Sequence, residues 1–245
     1  AEDGIRDTSV TGVQTCALPI FLAAGVGKRM RPLTLKTPKP LIEIGGRTLL
    51  ERAINLFINH GVEEITVNVH HLANQIEELI SDFKSDVKIK ISNEKDLLLD
   101  TGGGVKKGAK EFKNNPFFVI NPDTIWSDKY SEEIKSLEKE YFKNKRPCLL
   151  LVRKELSLDN SFKGDFNLKN NLISKDEHNQ FIFTGLQIMK NDNLAFLNKN
   201  IFSMNEVWTK LISEKNLGGL ESNQKFYHLN TIEMFEKIST SSSID

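Results

Sequence analysis

The chain has 245 residues, 39% of them apolar and 27% charged, with 33 basic and 33 acidic side chains. That length supports one large domain or two small ones, and a formal net charge of zero argues against a protein that coats nucleic acid. No uninterrupted apolar run reaches the roughly 18 residues of a membrane span, and Cys16 and Cys148 form neither a metal spacing nor a disulfide framework. The opening AEDG carries no basic segment leading into a long apolar one, so no secretory signal and a cytoplasmic location are expected.

Residues 1–20 resemble translated sequencing-adapter sequence, with neither helical nor strand periodicity before Ala17, so a non-native or disordered tail is expected over 1–16. Strand and helix signals alternate after it. A buried strand is predicted over 18–24, with Pro19 inside it where it removes a ladder donor. A helix over 47–60 is stopped by Gly61, and a strand follows over 64–69. The spacing of Leu72, Ile76, Leu79, Ile80 and Phe83 predicts an amphipathic helix over 72–83. Then come a strand over 87–92, a helix over 102–112 entered through glycines, and a short buried strand over 117–120. The carboxyl half predicts a helix over 130–142, strands over 148–152 and 181–189, and helices over 205–215 and 231–238. The polar stretch 167–179 is expected as an excursion at the sheet edge, and 239–245 as a frayed end. Repeated strand–helix units predict an α/β fold, a mostly parallel sheet covered on both faces.

In such a sheet, ligands bind outside the carboxyl ends of the strands. The first strand ends at Ala23-Ala24-Gly25 within FLAAGVGKRMRPLTLKTPKP. Gly25 and Gly27 let the backbone turn and approach a ligand closely, with N–H groups toward phosphate oxygens. A Walker loop needs GxxxxGK[ST], which is absent. A dinucleotide fingerprint needs a third glycine where Met30 stands, and an acidic residue where Val69-His70-His71 ends the next strand. What remains is GxGxR followed by PLT and PKP. Pro38 and Pro40 fix the backbone on either side of Lys39, and Arg29 offers a planar fork suited to phosphate. Against a merely solvated basic loop, the spaced glycines and prolines favour a small anionic ligand. In TGGGV, consecutive glycines opening a helix are costly unless something approaches the backbone closely. In VINPDTIW, Asp123 follows a buried strand at its carboxyl end, where a carboxylate suits Mg²⁺ or caps a turn. His70 and His71 read as structural.

The segment LAAGVGKRMRPLTLKTPKPL resembles the signature of sugar-1-phosphate nucleotidyltransferases, and DLLLDTGGGV, NPDTIW, KGDFNL and FTGLQIM follow in the order of the short bacterial members. The resemblance covers nearly everything after residue 20. It implies a Rossmann-like three-layer α/β/α (GT-A-like) domain with a mixed, mostly parallel sheet over 17–240, whose nucleotide-binding part ends near 125 and whose sugar-phosphate part follows. It implies a nucleoside triphosphate and a sugar 1-phosphate as partners, Mg²⁺ or Mn²⁺ as cofactor, no nucleic acid, no membrane, and a monomer or homodimer. It assigns Arg29, Lys39 and Asp123 to catalysis, with Asp123 on the metal. It assigns Ala23, Ala24, Gly25, Gly27, Gly102 and Gly103 to the nucleotide and Asp165, Thr184 and Gly185 to the sugar phosphate; Glu94 reads as an acceptor for the base or an exposed loop acid, and His228 as a donor to the sugar phosphate, since Mg²⁺ prefers oxygen ligands. The pattern departs at FYHLNT, where His228 stands in place of a second metal-binding Asp and Asn230 in place of a glycine. The expected reaction is uridylyl transfer from UTP to an N-acetylhexosamine or N-acetylmuramate 1-phosphate, for cell-wall precursor synthesis or recycling. The alternatives are mannose 1-phosphate with GTP, phosphocholine with CTP, and a non-catalytic nucleotide-sugar-binding homologue.

Overall fold

A computed structural model describes residues 17–240; the expected tail 1–16 and residues 241–245 lie outside them. In chain order the elements are β1 (Leu18–Leu22), β2 (Glu43–Ile44), β3 (Arg47–Thr48), α1 (Leu49–His60), β4 (Glu64–Val69), α2 (Ala73–Asp82), β5 (Lys88–Asn93), α3 (Asp100–Gly108) and β6 (Phe117–Ile120). Then follow α4 (Ser131–Asn144), β7 (Cys148–Arg153), β8 (Asn167–Lys169), β9 (Leu172–Ser174), β10 (Phe181–Met189), α5 (Met204–Ser213), β11 (Gly218–Ser222) and α6 (Ile232–Ser239). Nine strands form one sheet in the order β5-β4-β1-β6-β10-β7-β11-β9-β8. β5, β4, β1 and β6 pair in parallel, as do β7 and β11, while β10 is antiparallel to both of its neighbours. The sheet is therefore mixed and mostly parallel, as expected.

Side-chain alternation along the strands builds two cores. Phe21, Val67, Phe118, Leu150 and Ile188 pack with α1 and α4 on one face. Ile20, Val119, Leu149, Leu151 and Met189 pack with α3 and α5 on the other. This is the three-layer arrangement that buries both faces of a parallel sheet. A third cluster, with Met30, Ile42, Leu49, Ile125, Leu229 and Met234 at its centre, joins the loop after β1 to the loop after β6 and to α6.

Several boundaries move for local reasons. α1 begins at Leu49 because Arg47–Thr48 is drawn into a hairpin with β2 through Gly45 and Gly46, both at positive φ. Thr48 and Glu51 then form a capping box, and Gly61 closes the helix at φ 91°. Pairing of β1 with β6 runs from Leu18, but pairing with β4 begins only at Ile20. Pro19 thus sits where β1 is paired on one side, the edge-like setting in which strand proline occurs. The stretch 167–179 does form the sheet edge, as the β8–β9 hairpin. β11 is absent from the periodicity because its GGLES sequence has a bare start. An added Cβ at Gly219 would fall 2.8 Å from Leu168 and 2.9 Å from Ile173, so the crossing hairpin excludes a side chain. Ser239, expected in the frayed end, is the last residue of α6.

The glycines of α3 have the same kind of cause. A Cβ on Gly102 would fall 2.4 Å from the Phe202 ring, and one on Gly103 would fall 2.0 Å from the Asn200 carbonyl oxygen. The partner in close approach is the chain's own segment 200–202. Gly103→Ala is expected to cost about 1–3 kcal/mol, as overpacking does, read as a lower urea midpoint. A midpoint equal to the parent's would show that this segment does not press on α3.

Candidate active site

The loop leaving β1 is a chain of tight turns, Lys28–Met30, Leu33–Leu35 and Lys39–Leu41, each one turn of 3-10 helix. Gly27 sits at φ 64° ahead of the first, and an added Cβ would lie 2.8 Å from Thr34. The Thr34 hydroxyl donates to the Gly27 carbonyl at 2.9 Å, so the loop is stitched across its own width. Pro38 is extended and Pro40 is buried, which leaves Lys39 little freedom except along its side chain. The loop lines a cavity of about 260 Å³ with Gly25, Gly27, Lys28, Arg29 and Lys39, and Pro122, Asp123 and Asn230 line it too. Arg29 is exposed and makes no hydrogen bond or ion pair with another described residue.

Asp123 enters on a loop held from both sides. The Asn121 N–H donates to the Gly185 carbonyl at 2.8 Å, and the Thr124 hydroxyl donates to the Thr184 carbonyl at 2.7 Å. On the other side, Leu229 N–H donates to Asp123 O at 2.9 Å and Ile125 N–H to Tyr227 O at 2.8 Å. Lys39 Nζ lies 2.6 Å from Asp123 Oδ2, and His228 Nε2 lies 3.2 Å from the same oxygen. Burial pushes the Asp123 carboxyl up, but the Lys39 ammonium and the His228 imidazole outweigh it and hold the group well below the usual carboxylate range. The other oxygen, Oδ1, is buried and accepts no hydrogen bond from a described residue.

Other expected contacts have different partners. Glu94 is 2% exposed. Its Oε1 accepts from Asn68 Nδ2 at 2.9 Å and its Oε2 from the Leu99 N–H at 3.1 Å. Burial pushes its carboxyl up, against those two hydrogen bonds. Glu94 is therefore an internal brace, with each of its oxygens engaged within the protein. The Ala23 and Ala24 N–H groups donate to Asn68 Oδ1 at 2.6 and 3.2 Å, so these donors are engaged inside the protein. The Gly102 and Gly103 N–H groups donate to the Phe202 carbonyl at 2.9 and 3.1 Å, which removes them as ligand donors. Thr184 is buried, and its hydroxyl donates to Leu150 O at 2.9 Å. With Gly185, at φ 94°, it forms the β10 irregularity that holds the Asp123 loop. Asp165 accepts from Phe183 N–H at 2.9 Å beside β10 and does not line the cavity. His228 turns to Asp123, with its ring stacked on Phe226.

Sequence reasoning missed Thr34, Asn68 and Asn230 as parts of the site's frame. Thr34 was visible in the PLT motif. Nothing local marks Asn68, whose role appears only when β4 lies beside β1. The two histidines are structural, as expected, and diverge. His70 Nδ1 donates to Glu94 O at 2.8 Å and His71 Nε2 donates to Thr34 O at 2.7 Å, so each fixes a different loop. Among the described residues, no cluster of three or more His, Cys, Asp or Glu side chains could hold a metal, and no helix is long and apolar enough to cross a membrane.

A cationic loop and a strand-end carboxylate meet outside the carboxyl ends of parallel strands, where open α/β sheets bind their ligands. The family model "Nucleotidyl transferase" matches residues 18–155, more than half of the chain, and the chain belongs to that family. It is 29% identical over 224 residues to N-acetylmuramate alpha-1-phosphate uridylyltransferase of Caulobacter vibrioides, covering 88% of this chain and 93% of that protein. It is 35% identical over 117 residues to the mannose-1-phosphate guanyltransferase of Saccharomyces cerevisiae, covering 46% of this chain and 32% of that one. The fold matches a solved UDP-glucose pyrophosphorylase from Acinetobacter baumanii with a TM-score of 0.76 at 13% identity, over 91% of this chain and 92% of that one.

Gly25 separates packing from ligand approach. It is exposed, lacks a positive φ, and has open space where a Cβ would go. Gly25→Ala is expected to change stability by no more than about 0.5 kcal/mol, as surface substitutions do. It should weaken nucleoside triphosphate binding severalfold in a calorimetric titration. Unchanged binding would remove Gly25 from the site.

Proposed function

We propose that the chain transfers a uridylyl group from UTP to a sugar 1-phosphate, with N-acetylmuramate or an N-acetylhexosamine 1-phosphate as acceptor. The carrying observation is the cavity in which unpartnered Arg29 and Lys39, held at Asp123, converge at the end of β1. A sugar-phosphate oxygen attacks the α-phosphorus, a new P–O bond forms, and the bond to pyrophosphate breaks. The acceptor is already an ionised nucleophile, so no side chain has to be activated. Two anions must be brought together while negative charge grows on the leaving oxygens. Fixed, preorganised cations answer both needs. Arg29, on the open side of the loop, suits the leaving pyrophosphate bidentately. Lys39 is aimed by its flanking prolines at the corner where the phosphates meet Asp123. The part up to about residue 125 serves the nucleotide and the rest serves the acceptor. The uridylyl and muramate assignments are supported by the similarity to the Caulobacter vibrioides protein over nearly its whole length. The shorter match to a mannose-1-phosphate guanyltransferase makes GTP with mannose 1-phosphate the alternative pair.

The site fits a hard divalent cation. Asp123 Oδ1 is a buried, unpartnered carboxylate oxygen facing away from the Lys39 contact, and Mg²⁺ takes few protein oxygens beside waters and phosphates. When bound, Mg²⁺ or Mn²⁺ supplies charge stabilisation at the phosphate oxygens.

A matrix of four nucleoside triphosphates against sugar 1-phosphates, read by pyrophosphate release, should give its highest kcat/KM with UTP and an N-acetylated amino-sugar phosphate. A maximum with GTP and mannose 1-phosphate would replace the substrate assignment, and silence throughout would favour a non-catalytic binding protein. Arg29→Ala and Lys39→Ala should each lower kcat by about 10²–10³, as loss of one preorganised charge partner does. Turnover within about threefold of the parent would refute their roles. Asp123→Ala, and excess EDTA on the parent, should each remove nearly all turnover while the folded spectrum is kept.

A further inference from the structure

Asn230 lines the same cavity as Arg29, Lys39 and Asp123, yet its side chain is only 7% exposed. One hydrogen bond holds its amide, from Nδ2 to Asp159 Oδ2 at 3.0 Å. An ionised carboxylate only accepts, so the NH₂ end must face Asp159 and the oxygen must face away from it. That oxygen, Oδ1, is buried and accepts nothing from a described residue. Asp123 Oδ1, in the same cavity, is in the same condition. A buried acceptor left without a donor costs about 1–3 kcal/mol, and two in one cavity call for a common cause.

The surrounding charges narrow that cause. Asp123 Oδ2 is compensated by Lys39 and His228. Both Asp159 oxygens are engaged, Oδ1 by the Ser161 N–H and hydroxyl and Oδ2 by Asn230. His228 Nδ1 also lacks a partner, but His228 is not part of the cavity wall. Two oxygens therefore remain without a partner on side chains that line the cavity, one from a carboxylate and one from an amide. A hydrogen-bond donor could satisfy each singly, but a hard divalent cation satisfies both at once, and amide and carboxylate oxygens are its preferred ligands.

We infer that Asn230 Oδ1 joins Asp123 Oδ1 as a second protein ligand to the divalent cation of this site, and that Asp159 is the positioning residue that locks the amide oxygen toward it. Waters and substrate phosphates fill the remaining positions. The inference rests on the proposed nucleotidyl transfer only in so far as that reaction brings a cation to the cavity.

The test is a Mn²⁺ titration of the full chain in saturating α,β-methylene-UTP, with free Mn²⁺ followed by electron paramagnetic resonance against a nucleotide-only blank. Asn230→Leu, close in shape, should weaken Mn²⁺ binding about tenfold or more, and Asp159→Ala, which frees the amide to turn, by about tenfold, the lower end of what loss of an outer-shell partner costs. Thermal unfolding of each variant separates a misfolded protein from a lost ligand, and Asp159→Ala tests the geometry even if Asn230→Leu fails to fold. If Asp123→Ala abolishes Mn²⁺ binding while Asn230→Leu and Asp159→Ala stay within about twofold of the parent, Asn230 is not a ligand and the proposed reaction stands. A parent that binds no Mn²⁺ beyond the blank overturns both the ligand assignment and the metal-assisted reading.

Discussion

The ion pair between Lys39 and Asp123, 2.6 Å long and spanning 84 positions of sequence, is the contact around which the site is organised. It joins the loop after β1 to the loop after β6, the neighbouring strand of the sheet. Neither partner is free to wander: Pro38 and Pro40 fix one backbone, and hydrogen bonds to Gly185 and Tyr227 fix the other. A largely buried pair is costly to break, because the survivor is left as an uncompensated charge. The pair thus keeps an ammonium and a carboxylate fixed together at one wall of the cavity.

Support for that contact comes from below and from the side. Below it, Met30, Ile42, Ile125 and Leu229 share one small apolar cluster, so the loop after β1 and the Asp123 loop rest on a common base. From the side, the end of β4 braces three segments. Asn68 holds the backbone at Ala23 and Ala24 and also holds Glu94, His70 holds the Glu94 carbonyl, and His71 holds Thr34. The Asn68–Glu94 pair lies against the bare backbone of Gly104, where a Cβ would fall 2.6 Å from the amide. One polar network therefore sets the exit angle of β1, the start of α3 and the position of the loop between β1 and β2. Such a buried network is stabilising only when every member is satisfied, which ties local polar bonding to the shape of the cavity.

Much of the architecture was legible before the structure. β4, β6 and β10 fall where apolar runs and alternation placed them, and α1 ends at Gly61 as its stop signal required. These segments carry strong local signals: periodicity, β-branched and aromatic content, and a glycine stop. Arg29, Lys39 and Asp123 were also legible, because the chemistry of phosphate demands particular residue types at strand ends, and those three do gather at one cavity. Less legible were the internal partners of other unusual residues. Other parts of the same chain press on or bond to the TGGG glycines, Glu94, Thr184 and His228.

By itself, the sequence determined the α/β class, the alternation of elements, the family signature and the identity of the cationic and acidic groups, since these depend on short-range spacing and side-chain chemistry. Only the tertiary structure decided which of the unusual residues face the cavity. β10 lies antiparallel beside β6, and its irregularity at Gly185 carries the Asp123 loop. The 200–202 segment closes over α3, and Asp159 holds the Asn230 amide nitrogen so that its oxygen faces away from that contact. Each of these outcomes is a contact between residues far apart in sequence. No local spacing encodes which buried polar atom will find a partner within the protein and which will be left to bind something else.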